Sequence, residues 1–122
     1  MIQKSAPVKP SILITGGCGF IGANLIHVLS NLDCNIKVLD DLSTGVIEQI
    51  SKYNIEFFEG PLLDEDVLFK SLTDVDLVIH LAAQAGVRYS LENPTAYINS
   101  NILGFFNIME GCRINNVQKL IY

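Results

Sequence analysis

The sequence predicts an α/β fold built on a doubly wound parallel sheet, truncated within strand five, and three observations carry that prediction. Short runs rich in Ile, Leu and Val alternate with segments of helical periodicity, the signature of βαβ units with right-handed crossovers. The first apolar run ends in a glycine cluster that opens directly into a helical segment. Asp40 closes the second apolar run, 18 residues beyond Gly22.

Each element follows from its residues. Ser11–Thr15 is an apolar run stopped by glycine, as in a buried parallel strand. Ile21, Leu25, Val28, Leu29 and Leu32 recur at helical spacing. Residues 35–39 form a second strand, residues 42–45 a loop, and residues 46–52 a short helix. A third strand spans 55–58. Asp64, Glu65 and Asp66 then place acids at a helix N-terminus, ahead of Val67, Leu68 and Leu72. A fourth strand spans 76–80, a long helix runs from Pro94 to about Asn115, and residues 117–122 begin a fifth strand. Residues 1–10, with two prolines and few apolar groups, read as a flexible leader.

Composition excludes several function classes. The 122 residues are 49% hydrophobic and 17% charged, enough to bury a core. A net charge of -5 and a pI near 4.8 argue against non-specific binding to nucleic acid or anionic membranes. No apolar run approaches the roughly 20 residues of a membrane span, and the N-terminus lacks a signal-peptide apolar region. Cys18, Cys34 and Cys112 lack metal-ligand spacing, so no metal site is expected, and they read as reduced thiols of a cytoplasmic protein.

The glycine cluster carries the chemistry. Gly17-x-Gly19-x-x-Gly22 fits the dinucleotide fingerprint, and Gly16-x-x-Gly19-x-x-Gly22 fits a related spacing. The chain must turn sharply, admit a pyrophosphate without a Cβ in the way, and enter a helix whose N-terminus offers N–H groups and a favourable dipole. A carboxylate at Asp40 can accept both hydroxyl hydrogens of a ribose and repels a 2′-phosphate. With no arginine between Val38 and Ile47, NAD is predicted over NADP. The alternative for Asp40 is a turn-capping acid, and Asp41 is left between cofactor contact and solvent.

Three blocks, TGGCGFIG, DDLSTG and HLAAQAGVRYSLENPTAYINSNILGFFNIMEGCR, together resemble the extended short-chain dehydrogenase/reductase family with its NAD(P)-binding Rossmann fold. Within it the likeness is to NAD-dependent nucleotide-sugar epimerases and dehydratases, above all UDP-glucuronate and UDP-N-acetylglucosamine 4-epimerases. It covers residues 11–122. By that resemblance Gly16, Gly19, Phe20, Ile21 and Gly22 match the pyrophosphate loop and Asp40 the ribose ligand. Asp41, Ser43, Thr44 and Gly45 lie along the adenosine. Leu81, Ala82 and Ala83 pass under the cofactor, with Gln84 and the Gly86-Val87-Arg88-Tyr89-Ser90 loop facing nicotinamide and sugar and Ser100 and Asn101 nearby. Val87, Arg88 and Ser90 are the implied sugar-nucleotide contacts.

Two departures qualify the likeness. Where the family usually carries Gly-Asp after strand three, this chain has Gly60-Pro61. The adenine then loses one hydrogen bond, worth roughly 0.5–1.5 kcal/mol, while the Leu62 N–H remains. The family's Ser/Thr and Tyr-x-x-x-Lys are absent, since Tyr53, Tyr89 and Tyr97 lack a lysine four residues on. The segment therefore corresponds to the N-terminal part of the dinucleotide-binding domain, without catalytic segment or sugar-binding domain, and is predicted inactive alone.

Other residues have plainer readings. Arg88 suits a substrate anion or pairs with Glu92. His80 reads as packed at a strand end, His27 as a helix-surface residue, and Cys18 as merely small. Ile98, Ile102, Phe105, Met109 and Cys112 form one apolar stripe, widened by Leu103 and Phe106. By the resemblance, the helix Tyr97–Ile114 makes a homodimer; burial under a further domain is the alternative. The implied activity of the parent protein is 4-epimerisation of a UDP-sugar by transient oxidation at C4. A dehydratase or decarboxylase, a non-catalytic NAD-binding fragment and a purely structural module are the alternatives.

Overall fold

Five parallel strands form one sheet in the order β3-β2-β1-β4-β5, in a computed structural model that describes residues 8–122. The strands are β1 (Ser11–Thr15), β2 (Asn35–Asp40), β3 (Glu56–Glu59), β4 (Leu77–His80) and β5 (Lys119–Ile121). The helices are α1 (Phe20–Leu29), α2 (Glu65–Leu72), α3 (Val87–Glu92), α4 (Pro94–Tyr97) and α5 (Gly104–Ile114). The segment Ile98–Leu103 joins α4 to α5 as a π-helix. The short helix read over 46–52 is a single 3₁₀ turn at Ile47–Gln49. Residues 1–7 of the leader lie outside the described residues; next to them Lys9 pairs with Asp33 at 2.8 Å.

The chain steps outward from β1 to β2 and β3, then crosses to β4 and β5 on the other side. That reversal makes a crevice at the strands' carboxyl ends, where open α/β sheets take ligands. Side-chain alternation along the strands supplies the two cores. Leu13, Leu39 and Val78 face α2 and α5 with Leu68, Leu72 and Ile108. Ile12, Ile14, Ile36 and Val38 face α1 with Ile26. Asp64 caps α2 by accepting the Val67 N–H at 3.2 Å, with Glu65 and Asp66 in the first turn, as the acid cluster predicts.

Glycine contacts set the rotation of the helices, and here the apolar stripes mislead. A Cβ on Gly22 would lie 2.6 Å from the Gly17 Cα, so α1 seats Gly22 against the turn. Ile26 then enters the core, while Ile21 and Val28 stay exposed. In α5, Gly104 lies against Leu62 and Gly111 against Leu72. Those contacts bury Ile108 and Cys112 and leave Ile98, Ile102, Leu103, Phe106 and Met109 exposed. The stripe read from sequence is thus divided, with Cys112 in the core and most of the rest on the surface.

Candidate functional site

The turn after β1 is held tight by backbone geometry. Gly16 has φ +70, and a Cβ there would lie 2.7 Å from the Ala82 N. Its N–H donates to the Leu39 carbonyl at 2.9 Å, and the Gly19 N–H to the Gly16 carbonyl at 3.2 Å. The first bond entering α1 is Ala23 N–H to Gly19 carbonyl at 2.9 Å. The Phe20, Ile21 and Gly22 N–H groups therefore have no partner within the helix. No acidic residue stands in that first turn, so the positive end of the dipole is uncompensated.

The acids at the end of β2 are fastened to this turn. The buried Asp40 accepts the Cys18 N–H through Oδ2 and the Leu42 N–H through Oδ1, each at 2.9 Å. It caps the turn, as one sequence reading held, yet a carboxylate accepts about four hydrogen bonds, so lone pairs remain for a ligand. Asp41 Oδ1 accepts from the Ser43 N–H at 2.9 Å and the Ser43 hydroxyl at 2.7 Å. Asp41 is exposed to solvent at the cleft wall. Gly45 packs on Cys18, and the Val46 N–H donates to the Cys18 carbonyl at 3.0 Å. Burial and the neighbouring Asp40 push the Cys18 thiol up to about 12, so it stays protonated and packs as a small side chain.

Across the cleft, β4 and its loop are pinned from three sides. The fully buried Thr15 Oγ1 accepts the Ala82 N–H at 3.2 Å and shares a 2.6 Å hydrogen bond with His80 Nδ1. Burial lowers the His80 pKa below its ordinary 6.5, and its ring stacks on Phe105. This is the packed histidine that the sequence suggests. The Asn101 amide accepts from the Gln84 N–H at 2.8 Å and donates to the Gln84 carbonyl at 2.9 Å. Asn101 therefore clamps the loop and does not line the cleft. The Tyr97 hydroxyl donates to the Ala85 carbonyl at 2.7 Å and also contacts the Gly86 carbonyl.

These parts enclose a cleft of about 470 Å³. Of the residues singled out by sequence, Gly16, Gly19, Asp40, Asp41, Ser43, Thr44, Gly45, Leu62, Leu81, Ala82, Ala83, Gln84 and Ser100 line it. The Phe20 and Ile21 side chains point to solvent, and Gly22 is buried under the turn. Val87, Arg88 and Ser90 do not line it; they belong to α3, a helix where the sequence predicts a loop. Tyr89, between them, does line it, as do Leu39, Gly60, Pro61, Leu63, Ala96 and Asn99. Ala96, Asn99 and Ser100 stand at helical steps of three and four, the one signal that would have grouped them. Among the described residues there is no cluster of metal-ligating side chains, and no helix is long and apolar enough to cross a membrane.

Comparison with known proteins agrees with this geometry. The model of the NAD dependent epimerase/dehydratase family matches residues 12–122. Protein CapI of Staphylococcus aureus is 44% identical, across 91% of this chain and 36% of its own length. UDP-glucuronate 4-epimerase 4 of Arabidopsis thaliana is 36% identical, across 98% and 31%. The structure of Thermus thermophilus UDP-glucose 4-epimerase in complex with NAD superposes with a TM-score of 0.84 at 35% identity, covering 92% of this chain and 36% of that one. The chain spans about a third of the length of these relatives.

Proposed function

This chain belongs to the NAD-dependent epimerase/dehydratase family, and on that premise we propose that its cleft holds NAD as the cofactor-binding portion of a nucleotide-sugar 4-epimerase. The observation that carries the reading is the joining of a tight glycine turn, with free N–H groups at the helix it opens, to a ribose-competent acid. A Cβ at Gly16 or Gly22 would collide with neighbouring backbone, so glycine lets the turn close tightly, and the free N–H groups of Phe20, Ile21 and Gly22 at the start of α1 are available to a pyrophosphate. Asp40, already oriented by two backbone amides, accepts from the adenosine ribose hydroxyls. Asp40 and Asp41 repel a 2′-phosphate, and no basic residue lies between Val38 and Ile47 to offset them. Ser43, Thr44, Gly45 and Leu62 flank the adenosine half; Leu81, Ala82, Ala83, Gln84 and Ser100 flank the nicotinamide half.

Bound NAD would supply a hydride acceptor and donor. The chain's own contribution is to bind and orient: the Thr15–Ala82 and Asn101–Gln84 bonds hold the backbone of one wall in place. Proton transfer is not among its tasks. Tyr97 is committed to the Ala85 and Gly86 carbonyls, the Tyr89 hydroxyl accepts from Asn93 at 3.1 Å, and neither has a lysine four residues on. The 122 residues therefore bind NAD and turn over no sugar by themselves.

In the longer protein the substrate is a UDP-sugar such as UDP-glucuronate, epimerised by transient oxidation at C4, with Val87, Arg88 and Ser90 toward the sugar nucleotide. The names of the relatives support this. A dehydratase or decarboxylase would use the same cofactor cleft, and the family name embraces dehydratases. The protein acts in the cytoplasm as a homodimer through the exposed Ile98, Ile102, Phe106 and Met109 face. Assay of the longer protein with UDP-glucuronate tests the activity: C4-epimerised product is expected, and a decarboxylated UDP-pentose, with release of CO2 and no epimer, would favour the second reading.

A further inference from the structure

We infer that the adenosine end of the cleft does not read the exocyclic amino group of adenine, so the site accepts NAD carrying a substituent on that nitrogen. The inference rests on the dinucleotide reading above and adds a specificity to it. With the phosphates at the β1 turn and a ribose on Asp40 at the end of β2, the base lies toward β3, the outermost strand on that side. There the cleft is closed by Gly60, Pro61, Leu62 and Leu63.

The polar inventory of this end is short. None of the four side chains carries an oxygen or nitrogen, and proline has no N–H. The Pro61 carbonyl accepts the Asp64 N–H at 3.0 Å, and the Leu62 carbonyl accepts Asn107 Nδ2 at 3.1 Å. Asp64, whose carboxylate caps α2 at Val67, does not line the cleft. The Leu62 N–H has no protein acceptor among the described residues. The end thus offers aliphatic surface for the face of a base and a donor for a ring nitrogen. No side-chain oxygen is there to receive an amino hydrogen.

The rim is also fixed and open. Leu62 is buried against Gly104, where a Cβ would lie 2.8 Å from Leu62 Cδ1, so the segment cannot shift to bring up another group. Pro61 and Leu63 are exposed, which leaves a substituent a path to solvent.

The test is calorimetric titration of the chain with NAD and with N6-(2-aminoethyl)-NAD. The two dissociation constants are expected to agree within about threefold, because no hydrogen bond is lost. In Pro61→Asp, which installs an acceptor at the rim, NAD should bind about two- to tenfold tighter and the gap to the analogue should widen to about tenfold. If circular dichroism shows Pro61→Asp misfolded, Pro61→Asn presents a neutral acceptor at the same place. An analogue more than about tenfold weaker than NAD on the unaltered chain overturns the inference, as does an unchanged ratio in the folded variant. If neither compound binds, the dinucleotide reading fails and this inference with it. If NAD alone binds, only this inference fails.

Discussion

The Asp40 carboxylate receives the backbone N–H of Cys18 at 2.9 Å, which locks the acid at the end of β2 to the glycine turn after β1. Its second oxygen takes the Leu42 N–H at the same distance. Asp40→Asn cannot satisfy both amides, because its NH₂ would confront one of them. The expected outcome is a loss of about 1–3 kcal/mol in urea denaturation, the cost of one unpaired buried donor, together with weakened NAD binding. Denaturation coincident with that of the unaltered chain would show that Asp40 is not needed to hold the turn.

Gly22→Ala tests the glycine contact. Alanine in a helix interior normally gains up to about 1 kcal/mol over glycine. Here its Cβ would meet the Gly16 carbonyl oxygen at 2.5 Å and the Gly17 Cα at 2.6 Å. The clash involves backbone, so it outweighs propensity, and a net loss of about 1–3 kcal/mol is expected in thermal melts. A higher melting temperature would contradict this.

His80 gives the stability a pH dependence. Its folded pKa lies below 6.5 because burial disfavours the imidazolium. Below pH 6.5 the unfolded chain takes up a proton that the folded chain resists, so more protons are bound unfolded than folded. Stability is therefore fully present above pH 6.5 and is lost as pH falls through the folded pKa. In His80→Gln this part of the slope disappears. An unchanged slope in denaturation at stepped pH would refute it.

The thiols should react unequally. Burial raises the pKa of both Cys18 and Cys112, Cys18 to about 12, so neither supplies thiolate at neutral pH. A disulfide-exchange reagent should modify Cys34 rapidly and the other two only after unfolding. Rapid modification of all three in the native chain would contradict the packing described.

The five strands and the glycine-to-acid spacing are legible in sequence because both are written in local pattern: apolar runs, a turn only glycine can make, an acid at a strand end. What is not legible depends on contacts distant in sequence. The rotation of α1 and α5 follows from Gly22 on Gly17, Gly104 on Leu62 and Gly111 on Leu72, and periodicity alone does not weigh such approaches. Asn101 reads from sequence only as a polar position near the cofactor, and its clamp on Gln84, 17 positions away, is a contact that periodicity does not show. Read as a loop, residues 86–90 face the site as a whole, with nothing to single out Tyr89 from Val87, Arg88 and Ser90 as the residue that reaches it. The helix α3 that forms there turns only Tyr89 of these neighbours toward the cleft.

The central claim is that the glycine turn and Asp40 form one NAD site. Its most direct test is parallel calorimetric titration of the chain with NAD and NADP. The expected result is one NAD bound per chain, with NADP at least about tenfold weaker because its 2′-phosphate faces Asp40 and Asp41. No heat at millimolar NAD, or equal binding of the two, would contradict it.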